Sequence, residues 1–95
     1  MMTFNDALLE RRIAEATAGN ADAAYDLGVA FSTGTAGAAL DLIAAHMWFN
    51  LSSAGGNDAA PAARAEISED MTAREIATAQ RAARDLLAGM RRRAA

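Results

Sequence analysis

The sequence predicts an all-α protein, and three observations predict it. Ala is the commonest residue, and Ala is the best helix former because it has almost no side-chain entropy to lose. Large apolar residues recur at steps of three and four, whereas strand formers never alternate over a useful stretch. Glycines and polar capping residues punctuate the chain at intervals that mark about five helices. At 95 residues a single domain, 1–95, is expected. The chain is 53% hydrophobic but only 5% aromatic. Each Ala buries little area, so the core must rest on a few large side chains, among them Leu9, Ile13, Leu27, Phe31, Leu40, Trp48, Phe49, Leu51, Leu86 and Met90.

The first helix is expected from about Asn5 to Thr17, capped by Thr3 or Asn5, with Leu9, Ile13 and Ala16 as its apolar stripe. Gly19 ends it. Asn20 caps a second helix that runs to about Ser32 and carries Ala24, Gly28 and Phe31 on one side. A glycine in mid-helix costs about 1 kcal/mol relative to Ala, so Gly28 signals the close approach of a neighbouring helix. Thr33 to Gly37 reads as the one true loop. The third helix is expected from about Ala39 to Ser53, ending at Gly55-Gly56. Leu40, Ile43, Ala44, Met47, Trp48 and Leu51 make it apolar around most of its girth, which marks the central, most buried helix.

Asn57 or Asp58 caps a fourth helix reaching about Asp70, with Pro61 in its first turn, where a missing N–H does least harm. The fifth begins at the capping box Thr72-Ala73-Arg74-Glu75, with Met71 and Ile76 at the staple positions. Its stripe of Ile76, Ala79, Ala83, Leu86, Leu87 and Met90 is expected to lie over the fourth helix.

Gly19-Asn20 recurs as Gly56-Asn57, each time closing one helix and capping an Ala-rich one. Such a repeat of helix, glycine turn and helix predicts an α-α superhelix of antiparallel helical hairpins. The chain then divides into an N-terminal helix (1–19), a central repeat (20–56) and a closing helix pair (57–95).

Within the repeat the chain reads Ala21 or Ala24, Leu27-Gly28, Phe31, Gly34 and Gly37, Asp41, Ala45, Trp48-Phe49, Ser52-Ser53 and Gly56. That succession resembles the Sel1-like repeat family, a relative of the tetratricopeptide repeats. The string from Ala45 to Leu51 and the tail from Met71 to Arg84 look especially like bacterial members. The resemblance covers about residues 18–88. The loop between Phe31 and Asp41 is one residue longer than the usual pattern, and Ala38 stands where Val is typical. Family members also stack several repeats, whereas this chain has about one and a half.

The resemblance implies a non-enzymatic scaffold or adaptor that binds a protein or peptide. In such arrays the first helix of each unit lines the concave side. Here that points to Asp22, Tyr25, Asp26 and Val29, with Arg64 as the corresponding surface of the fourth helix. An acidic groove of this kind would favour a basic or mixed peptide. The alternative is a homodimer whose end helices complete each other's solenoid, since a repeat cannot bury its apolar face alone. Residues 1–70 hold ten acids and three arginines, and residues 71–95 two acids and six arginines, so the two parts differ by −7 against +4.

No catalytic, metal-binding or cofactor-binding residue is predicted. There is no Cys, so disulfides, thiolate metal sites and a Cys nucleophile are excluded. Trp48 and Phe49 sit at helical spacing beside Leu51 and Ala45 and read as core. His46 is the single histidine, lacks His or Cys partners for a metal, and is expected at the surface or an interface. Ser52-Ser53 lies in a helix without the strand–turn–helix setting of a nucleophilic serine. Glu66, Glu69 and Asp70 lack calcium-loop spacing and read as a solvated face. Gly34 to Gly37 lacks the Lys of a phosphate loop. A net charge of −3 argues against nucleic-acid binding, including by a basic fifth helix ending in Arg91-Arg92-Arg93. No apolar run is long enough for membrane insertion, Met1 to Arg12 does not have the form of a secretory signal, and a cytoplasmic location is expected.

Overall fold

Three of the described helices start where a polar side chain, Asn20, Asp41 or Thr72, meets a free amide of the first turn. The structure, a computed structural model, describes the backbone of residues 4–94 and the side chains of residues 7–94. The described chain is α-helical: α1 (Phe4–Thr17), α2 (Ala21–Thr33), α3 (Leu42–Ala54), α4 (Ala60–Ser68) and α5 (Ala73–Ala94). The all-α expectation with five helices therefore holds. Asn5 lies inside α1 rather than capping it, and Thr3 lies outside the described residues.

Asn20 caps α2 by accepting from the Ala23 amide at 3.0 Å. Asn57 accepts from the amides of Ala59 and Ala60 at 2.9 and 3.1 Å, three residues before α4 becomes regular, so Ala59 and not Asn57 or Asp58 holds the N-cap position. The capping box closes in both directions. The Thr72 amide donates to Glu75 at 2.8 Å, and the Glu75 amide donates to the Thr72 hydroxyl at 3.1 Å.

Two further boundaries differ from expectation, each for a local reason. Asp41 is extended and accepts from the Ala44 amide, so α3 starts at Leu42 instead of Ala39. Leu40 is left in the loop, 67% exposed, and is not a core residue. At the other end, α4 stops at Ser68 instead of Asp70. Bonds from Glu69, Asp70 and Met71 back to the third preceding carbonyl tighten the chain out of α geometry.

The loop between α2 and α3 begins at Gly34, whose φ of 69° places it in the left-handed region while its amide meets the Ala30 carbonyl. Gly37 also has positive φ, and so does Ala36 at 55°, a conformation that is costly for a residue with a Cβ. The Asp41 amide donates to the Phe31 carbonyl at 2.9 Å and closes the loop.

From there α3 runs back along α2. Phe31 meets Asp41, Tyr25 and Gly28 meet Phe49, and Ala21 meets both Ser52 and Gly55. These pairings make α2 and α3 an antiparallel hairpin. Its tightest point is Gly28, where a Cβ would fall 2.4 Å from two atoms of the Phe49 ring. The mid-helix glycine is there to admit that ring.

α3 is the central helix: α2, α4 and α5 all pack on it, and α1 packs on α2. The core joins Ala16, Ala23, Ala24, Leu27, Trp48 and Leu51, with Leu86, Leu87 and Met90 of α5 against them. Thus α5 lies chiefly on α3 and not, as the sequence suggested, on α4. The nine residues of α4 offer one buried side chain, Ala60, too little apolar surface to hold the 22-residue α5.

Candidate functional site

Asp22, Tyr25, Asp26 and Val29 follow one another at helical spacing along α2 and share one face of it. Asp22 and Asp26 are exposed, and Val29 is 39% exposed. Tyr25 is half-buried, its ring 5.5 Å from that of Phe49 and tilted by 54°. Asp22 accepts from the Asn57 side-chain NH₂ at 3.0 Å, which ties the face to the α3–α4 turn. Asp26 pairs with Arg12 of α1. Both partners are about half exposed, so this pair adds little stability and leaves the carboxylate open to competition. A shallow cleft of about 280 Å³ separates α1 from α2, with Arg11, Arg12, Glu15, Asp22 and Asp26 on its walls.

Arg64 does not extend this acidic face. Its side chain is half-buried and donates to Oδ1 of Asn50 on α3 at 2.6 Å. The Asn50 side-chain nitrogen lies 2.9 Å from His46 Nδ1. The three residues form a chain of polar contacts across the α3–α4 interface.

His46 corrects the sequence reading. It is 2% exposed, not a surface residue. The bonding roles follow from Arg64, which carries donors only. Asn50 must turn its oxygen to Arg64, so its NH₂ faces His46 and Nδ1 must accept. The network thereby assigns His46 as the neutral imidazole with its proton on Nε2. Burial pushes its pKa below the ordinary 6.5, and the Arg64 charge pushes the same way, against a smaller opposing backbone hydrogen bond. The spacing of His46 and Asn50 was readable as one helical face; the arrival of Arg64 from α4 was not.

The sign of the pH dependence follows. A His whose folded pKa is depressed binds more protons when unfolded, so stability rises with pH across the interval between the two values. Its contribution is full above about 6.5 and is lost as pH falls through the folded value. Urea titrations at about pH 7.5 and about pH 5.5 are expected to show a lower midpoint in acid, above the range where carboxylates titrate. A His46→Gln variant should be nearly flat over that interval, and equal slopes for both proteins would refute the assignment.

The remaining motif residues have structural positions. Leu27 is buried under the α2–α3 contact, Phe31 is half-buried against the core, and Ala45, Trp48 and Phe49 are buried. Ser52 donates to the Ala21 carbonyl at 2.8 Å, and Gly56 closes the repeat at φ 99°. Among the described residues no three His, Asp or Glu side chains gather as metal ligands, and no helix is long and apolar enough to cross a membrane. Compared with protein-family models, with curated proteins and with solved structures, the chain matches none.

Proposed function

We propose that this chain is a non-enzymatic, cytoplasmic protein-interaction scaffold of the Sel1-like repeat type, its hairpins forming a short superhelix. The support is that the residues carrying the resemblance each have a definite use in the α2–α3 hairpin. Gly28 admits Phe49, Gly34 takes the left-handed cap, Asp41 starts α3, and Ser52 ties the hairpin's open end to Ala21. The observation that carries the binding role is the acidic face of α2, where Asp22 and Asp26 lie exposed beside a half-buried Tyr25 and an exposed Val29. An aromatic side chain between two carboxylates, with an aliphatic one a turn beyond, suits a segment in which arginines alternate with apolar residues.

Fluorescence polarisation with a labelled Arg-Leu-Ala-Arg-Leu-Arg peptide tests this reading. Saturable binding is expected, weakened about tenfold by the double variant Asp22→Asn/Asp26→Asn, a change of about 1.4 kcal/mol. Rising salt should weaken it as well. No saturable binding, or equal binding by the double variant, rejects the acidic face as the recognition surface.

A further inference from the structure

Between α3 and α5 lies a second, shallower cleft of about 330 Å³, lined by Asn50, Gln80, Ala83, Arg84 and Leu87. None of these residues is acidic. Ala83 is buried and Leu87 half-buried, while Gln80 and Arg84, one helical turn apart on α5, are exposed. Asn50 faces them with its orientation already determined, its oxygen committed to Arg64 and one N–H to His46. Its NH₂ carries a second N–H beyond the one given to His46. Neither Arg64 nor Arg84 has a carboxylate partner among the described residues, where the one ion pair is Arg12 with Asp26.

We propose that this cleft binds the acidic side chain of a partner peptide, with Arg84 as the principal donor and Gln80 and Asn50 beside it. The planar guanidinium of Arg84 offers the paired N–H groups that a carboxylate accepts, and Arg64 behind Asn50 adds positive potential without needing to touch the ligand. Ala83 and Leu87 supply an apolar floor for a neighbouring aliphatic side chain. The shallow, open shape suits a segment of chain better than an enclosed small molecule. This site lies on a different pair of helices from the acidic face of α2 and attracts the opposite charge, so the two readings stand or fall separately.

The test is a titration of the full chain with N-acetyl-Glu-Leu-Glu-amide, followed by ¹H–¹⁵N NMR. The side-chain amides of Asn50 and Gln80 and the Nε–H of Arg84 are expected to shift along one saturable curve. Arg84→Ala should weaken binding by about tenfold and Arg84→Lys by less, because Lys keeps the charge but loses the fork. Arg74→Ala, outside the cleft, should leave the curve unchanged. Absence of saturable shifts overturns the proposal. Equal shifts with N-acetyl-Gln-Leu-Gln-amide overturn the carboxylate assignment. Equal shifts with inorganic phosphate at the same concentration reduce the cleft to an unselective cationic patch and overturn it too.

Discussion

Replacing Phe49 with Ala is expected to lower the free energy of unfolding by about 3–5 kcal/mol, the usual loss for a buried Phe. Phe49 is 2% exposed and is the largest fully buried side chain described. Its ring fills the space over Gly28 and meets the ring of Tyr25, so truncation opens a cavity at the centre of the α2–α3 hairpin. Losing the aromatic pair adds about 0.5–1.5 kcal/mol to the area term. A domain of this size holds roughly 5–15 kcal/mol in total, so the loss is between about a fifth and all of it. Trp48, the single tryptophan, is 6% exposed and reports unfolding by its fluorescence. Urea titrations should show a much lower midpoint for Phe49→Ala. A loss below about 1 kcal/mol with an unchanged denaturant slope would mean that the hairpin is not built around this ring.

The second large effect is expected from Gly28→Ala, where two terms oppose each other. Helix propensity favours Ala by about 1 kcal/mol. The added Cβ, however, would stand 2.4 Å from two Phe49 ring atoms and 2.8 Å from a third. Carbon atoms prefer separations of about 3.5–4.0 Å, and a ring held between two helices cannot rotate out of the way as a flexible chain end would. Overpacking therefore wins, and a net loss of about 1–3 kcal/mol is expected. The diagnostic is the double variant. With Phe49→Leu in place, Gly28→Ala should become nearly neutral or stabilising, giving a coupling above about 1 kcal/mol. If Gly28→Ala alone stabilises the protein by its propensity gain, the close approach is wrong.

Both expectations grow from a feature that was half legible. A glycine in the middle of a good helix announces a close neighbour, and Gly28 announced one. Nothing in its spacing said that the neighbour would be Phe49 rather than Trp48, because both fall on buried sides of α3. The face of α2 bearing Asp22, Tyr25, Asp26 and Val29 was likewise readable, since it needs only helical periodicity within one segment. Arg64 was assigned to the same surface by its position in the repeat, and the fold sends it instead to Asn50 on α3. The burial of His46, expected at the surface or an interface, was not legible, because its isolation in sequence hides the Arg64 that α4 brings against Asn50 beside it.

The sequence by itself determined the helical class, the number of helices and most of their ends. Those properties depend on local matters: Ala content, apolar spacing, and capping side chains that reach amides three residues away. Asn20 and the Thr72–Glu75 box illustrate this, whereas the cap at Asp41 starts α3 later than the apolar pattern implies and leaves Leu40 in the loop. Only the tertiary structure decided that α5 lies on α3, that His46 is buried and neutral, and that Asn50 stands between two arginine-bearing helices with one N–H to spare. Packing partners are set by which apolar faces remain uncovered after the first hairpin forms. α3, apolar around most of its girth, had surface left for α5, and the short α4 did not.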